Sequence, residues 1–152
     1  MHIDSNVEPA VRKVYAGAVA EEPERFESAL ADTAEQGEDF ARACLVLAVT
    51  IDSVALFAIH DGQRPDDEQL RYLARAFCEA HRWAEIDEEN ASTFLTALAD
   101  RRPLADVLPT GDVAEIAYVL GAWLLVAFLP EGKDWTDFLD EILDALESSP
   151  AP

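Results

Sequence analysis

Residues 43–59, ACLVLAVTIDSVALFAI, and residues 116–129, IAYVLGAWLLVAFL, decide the fold. The first carries one charge, Asp52, and the second carries none. A helix that is apolar around nearly its whole circumference cannot face water along one side, so both stretches are expected near the centre of a helical bundle. The second run has 14 residues and ends at Pro130. A membrane span needs ~20 residues, so this run is expected to be a buried core helix rather than a span.

Outward from these two stretches, apolar residues recur at three and four rather than at two, with Pro or Gly between the periodic segments. No segment alternates as a strand would. Ser5 and Glu8 form a capping-box pattern ahead of the stripe Val7, Val11, Val14 and Ala18. Pro23 opens a second helix bearing Phe26, Leu30 and Ala34, closed by Gly37. A third runs from about Glu38 to His60 and ends in the turn Asp61 to Pro65. Asp66 is placed to cap a fourth, with Leu70, Leu73, Phe77 and Ala84 inward. Asp87 is placed to cap a fifth, with Ala91, Phe94, Leu95 and Leu98 inward and Pro103 beyond its end. A helical turn is expected at Leu104 to Leu108. Asp112 and Glu115 form another capping box before the second apolar helix, in which Ala117 and Gly121 lie four apart and invite a close crossing. Asp134 precedes a last amphipathic helix with Phe138, Leu139, Ile142, Leu143 and Leu146 inward.

The expected architecture is therefore all-α: one compact domain over residues 1–148, a bundle of six to seven helices with two central apolar ones, and a frayed tail at 149–152. With 31 acids against 11 bases, the net charge is −20 and the pI about 4.2. Residues 1–76 have net charge −8 and residues 77–152 have −12, so both halves are acidic. A polyanion is repelled by phosphate backbones and anionic bilayers, which argues against nucleic acid and membrane as partners. The acidic N-terminus lacks the basic region of a signal peptide, and Cys44 and Cys78 lie within apolar helical patterns as reduced thiols. Both features fit the cytoplasm.

Asp52 is the most informative single residue. On a helical wheel it falls beside Leu45, Ala48 and Ile59, away from Arg42, Ser53 and His60. A carboxylate there needs an arginine, a hydroxyl, a helix N-terminus or a functional reason, and an Arg or Trp of a neighbouring helix is the expected partner. Arg71, Arg75 and Arg82 form a positive stripe that either pairs with acids such as Glu68 and Glu79 or clamps an anion.

His60-Asp61 is similar, over two residues, to the adjacent metal-binding pair of HD-type phosphohydrolases, which are likewise all-helical. That resemblance implies a further upstream histidine, and His2 alone precedes, so His60 is assigned to a helix C-terminus. His81 is read as a boundary histidine. Trp83 and Trp135 are read as helix-border indoles whose N–H reaches water, and Trp123 as a core residue. No nucleophile elbow, phosphate loop, dinucleotide fingerprint or Glu-x-x-His pair occurs, so neither metal nor cofactor is expected.

These patterns favour a non-catalytic interaction or regulatory protein that binds a basic protein partner, as an inhibitor, immunity-type antagonist or adaptor does. Asp134, Asp137, Asp140, Glu141, Asp144 and Glu147, with no base opposing them in sequence, are its expected contact face. The alternative is a small-molecule or hydrolytic cavity between the apolar helices, with Asp52 as its acid and Arg71 or Arg75 as an anion clamp, and Arg82 as a further candidate ligand-binding residue. A third reading makes the acidity an adaptation to salt. A homodimer through an amphipathic face is compatible with each.

Overall fold

The computed structural model describes residues 1–148, and the tail expected at 149–152 lies outside them. Seven α-helices follow in order: α1 Val7–Val19, α2 Pro23–Glu35, α3 Glu38–Ala58, α4 Asp67–Ala80, α5 Glu88–Ala99, α6 Thr110–Ala127 and α7 Trp135–Ser148. Single 3₁₀ turns occupy Arg82–Ala84 and Leu104–Asp106. The chain is an all-α bundle, and no strand occurs among the described residues.

Local chemistry sets most of the boundaries. Asp66 caps α4 in a full capping box: its side chain accepts from Gln69 N at 2.7 Å, and Gln69 Oε1 accepts from Asp66 N at 2.8 Å. Asp87 accepts from Glu89 N at 3.0 Å to open α5, and Asp134 accepts from Trp135 N at 2.7 Å at the start of α7. Gly37, at φ 115°, joins α2 to α3 through a conformation that a side chain would strain.

Two expected caps do not form. At α1, Asn6 rather than Ser5 is the flanking residue, it makes no side-chain cap, and Asp4 Oδ1 takes Asn6 N–H at 2.8 Å. At α6, Pro109 pre-sets the entry and the helix starts at Thr110. Asp112 and Glu115 thus sit inside the first turns, and no side chain caps the end.

α6 is the enclosed helix. Val113, Ile116 to Leu125 and thus every face of its middle turns are buried. α3 packs against it and α1 packs against both, while α2 lies on α1, α4 pairs with α5, and α7 lies against α3 and α6. α3 differs from the expectation of a fully sheathed helix. Cys44, Leu47, Ala48, Ile51, Asp52, Ala55 and Leu56 point inward, but Val46 is 53% exposed and Leu45, Val49, Val54 and Phe57 are only half-buried. Counted over whole helices, α3 and α6 are each long and apolar enough to cross a membrane, more than the uninterrupted apolar runs suggest. In the fold 61% of the most apolar 18-residue stretch of α6 and 39% of that of α3 are buried in protein. On α2 the inward set is Phe26, Ala29 and Thr33, rotated from the expected stripe so that Ala34 is exposed.

Two glycines set the close approaches. A Cβ on Gly17 would lie 2.9 Å from the Phe26 backbone, so α1 and α2 meet there main chain to main chain. A Cβ on Gly121 would lie 1.9 Å from Asp52 Oδ1, so α6 passes directly over the carboxyl group of α3.

A series of ring contacts crosses the molecule. Phe26 meets Trp83, Trp83 meets His81, His81 meets Phe77, Phe77 meets Trp123 and Trp123 meets Phe128, with centroids 5.6 to 6.1 Å apart.

Candidate functional site

Asp52 is fully buried, and with Thr33 it is the polar side chain in an otherwise apolar interior. Its partner is neither arginine nor tryptophan. Tyr15 of α1 donates its hydroxyl to Asp52 Oδ1 at 2.7 Å, and the same hydroxyl lies 3.0 Å from the Ala48 carbonyl oxygen. Asp52 Oδ2 has no hydrogen-bond partner among the described residues. Tyr118 of α6 stands edge-on to Tyr15 at 5.7 Å between centroids, and Gly121 closes the remaining side. The node thus joins α1, α3 and α6 through one carboxyl group.

Burial dominates its acid–base state. Desolvation pushes the Asp52 carboxyl well above its ordinary value, and the Tyr15 hydrogen bond, which favours the anion, offsets only part of this. Desolvation likewise pushes the Tyr15 phenol well up, helped by the nearby carboxyl, and raises Tyr118. Cys44, buried beside them, is pushed up to about 11 by desolvation. Burial thus favours the protonated forms of the carboxyl and both phenols, and the group ties helix positions together.

The arginine stripe does not converge on Asp52. No ion pair or hydrogen bond links it to Arg71, Arg75 or Arg82, all three of which are exposed on or just after α4. Arg75 pairs at 3.4 Å with Glu88 of α5, instead of with Glu68 or Glu79, while Arg71 and Arg82 make no ion pair among the described residues. Among the described residues, five of the best-formed surface clefts, of about 260 to 410 Å³, are lined by neither Asp52 nor any of these arginines.

The acidic face of α7 is exposed at Asp134, Asp137, Asp140, Glu141, Asp144 and Glu147. Two of the six are opposed by bases, contrary to the expectation from sequence. Arg12 of α1 reaches Asp140 at 2.7 Å and Glu8 at 3.0 Å, and Lys133 pairs with Glu141. Asp134 and Asp137 serve the helix start, where Asp137 Oδ2 accepts from Asp134 N at 3.2 Å. Asp144 and Glu147 have no cation among the described residues.

His60 Nδ1 lies 2.8 Å from the Leu56 carbonyl oxygen at the end of α3. His81 closes α4, and Trp83 donates its indole N–H to His81 Nδ1 at 2.9 Å instead of to water. Desolvation lowers the His81 imidazole from its ordinary value against an opposing pull from Glu21, 3.6 Å away. Cys78 donates weakly to the Ile86 carbonyl oxygen at 3.4 Å.

Sequence reasoning did not single out Tyr15 or Tyr118. Tyr15 stands four residues after Val11 on the α1 stripe, where a phenol needs an acceptor once buried; that was the available signal. Also not foreseen was a furrow beside the exposed face of α3. One cleft, of about 380 Å³, runs past Leu30, Ala34, Ala41, Leu45, Ala114 and Tyr118. A second, of about 290 Å³, continues past Leu45, Val46, Val49, Leu104 and Val113, and both include Thr110. No protein-family model, no curated protein and no solved structure matches the chain.

Proposed function

We propose that this chain is a non-catalytic acidic interaction protein that occludes a surface on a basic protein partner, in the manner of an inhibitor, antagonist or adaptor. The observation that carries the reading is the outward row Asp137, Asp144 and Glu147 on α7. These carboxylates are exposed and unopposed by a base, on a helix whose other side is anchored by Leu139, Ile142 and Leu143. A carboxylate row on a packed helix raises the encounter rate with a cationic surface and disfavours acidic competitors, without any conformational change. The two unpaired thiols fit a reducing compartment, in keeping with a cytoplasmic site of action.

The test uses the partner captured on immobilised protein from a low-salt lysate of the source cells, followed by association kinetics with that partner. The on-rate is expected to fall as salt rises and to drop about threefold or more in Asp137→Asn/Asp144→Asn/Glu147→Gln. An unchanged on-rate in this variant overturns the α7 face. Asp140 and Glu141 are left alone because removing them would release Arg12 and Lys133.

A further inference from the structure

We infer that the furrow beside α3 is a second docking surface, built for one amphipathic helix with an apolar stripe and lysine or arginine flanks. Three observations meet there. The first is shape: two clefts share Leu45 and Thr110, so they form one channel along α3 from Ala41 to Thr50, ten residues or roughly 15 Å of helix. A channel of that length beside a helix matches the ridge made by residues i, i+3, i+4 and i+7 of a partner helix. The second is chemistry of the floor. Val46 is 53% exposed and Leu45 and Val49 half-buried, so this face of α3 is only partly covered among the described residues. Tyr118, 1% exposed, closes the floor of the channel.

The third is charge, and it selects among occupants. Glu38 lines the channel, exposed Asp39 and Asp112 adjoin it in sequence, and the one lining base, Arg42, is already held by Glu38 at 3.3 Å and Asp39 at 3.7 Å. A second copy of this chain would bring the same acids together across the contact, and an anionic bilayer would be repelled. A cationic amphipathic helix satisfies both floor and rim. This surface shares with the proposed function only the sign of the partner's charge and is separate from α7, so the two readings can fail independently.

The probe is a fluorescent peptide of about 18 residues made of leucine and lysine in amphipathic helical order. Its control is the same composition in scrambled order, and binding is read by anisotropy on the full chain. The ordered peptide is expected to bind about tenfold tighter than the scrambled one. Val46→Ser should remove about fivefold of that preference without adding charge, and Val46→Ser/Val49→Ser should remove nearly all of it, whereas Asp144→Asn/Glu147→Gln should leave the ratio unchanged. Because Val46 is half exposed, Val46→Ser should keep the helical spectrum and melting temperature of the parent.

Equal binding of the two peptides shows attraction by charge alone and overturns the inference, as does an unchanged preference in the folded Val46→Ser variant. Sedimentation as a dimer that Val46→Ser dissociates gives the channel to a second copy, and flotation with neutral lipid vesicles that Val46→Ser abolishes gives it to a bilayer. Either result overturns the inference. A null result for the α7 variant with its captured partner, alongside a positive peptide preference, would reject the proposed contact face and leave the furrow standing.

Discussion

At the scale of single residues, the central question is what a carboxyl group does where water cannot reach it. Asp52 holds one hydrogen bond, from Tyr15, and one oxygen without a partner. Because its folded-state pKa is raised, the unfolded chain gives up this proton first as pH increases. The stabilising contribution is complete below the ordinary carboxylate range and is lost as pH climbs towards the folded value. Urea unfolding of Asp52→Asn should therefore show a flatter pH dependence than the parent as pH rises above the ordinary carboxylate range, with a slope difference of at most about 1.4 kcal/mol per pH unit. A parallel pH dependence in the two proteins would show that Asp52 is not the linked group. Tyr15→Phe removes the donor to Asp52 and is expected to cost about 1–3 kcal/mol in the same assay. The wheel position of Asp52 made its burial legible in sequence, but its partner was not. A tyrosine on an apolar stripe looks like any core aromatic until the neighbouring helix is placed against it.

At the scale of elements, the contact between α3 and α6 is keyed by one missing side chain. Gly121→Ala would put a methyl group 1.9 Å from Asp52 Oδ1, inside any real contact distance, and should destabilise the bundle by about 1–3 kcal/mol. Cutting the carboxyl away should reverse the sign. In an Asp52→Ala background the new alanine fills vacated space and favours helix, so the double-mutant cycle is expected to give a coupling energy of about 1 kcal/mol or more. Additive effects would mean that the two residues do not meet. Helix order, the caps at Asp66 and Asp87 and the opening at Asp134 follow from sequence, because each depends on residues a few positions apart. The caps expected at Ser5 and Asp112 failed for a related reason: a capping pattern states only that a bond is available, while Asp4 and Pro109 set where the chain enters the helix. The half-exposed face of α3 could not be read at all, since a helix apolar all round does not say which side its neighbours leave open.

At the scale of the whole molecule, Asp52 is the one buried acid of 31 among the described residues. Ion pairs such as Arg64–Asp100 at 2.7 Å and Arg12–Asp140 leave the net charge of −20 unchanged, and solvent screening keeps the contribution of such exposed pairs small. Self-repulsion should consequently weaken with screening, so the melting temperature is expected to rise as KCl increases from about 0.01 to 0.3 M and then level off, because the Debye length shrinks from ~30 to below 10 Å. Continued steep gains at molar salt would instead favour adaptation to a saline medium.

The ring series from Phe26 to Phe128 has an optical consequence. Trp83 leans its indole N–H on the imidazole of His81, and an imidazolium both refuses that proton and quenches indole emission. Since burial delays protonation of His81, acidification should dim Trp83 at a pH below the usual histidine range, and Trp83→Phe should remove that step while Trp123 and Trp135 continue to glow. The protein carries its own luminescent gauge of whether its α4 end is intact.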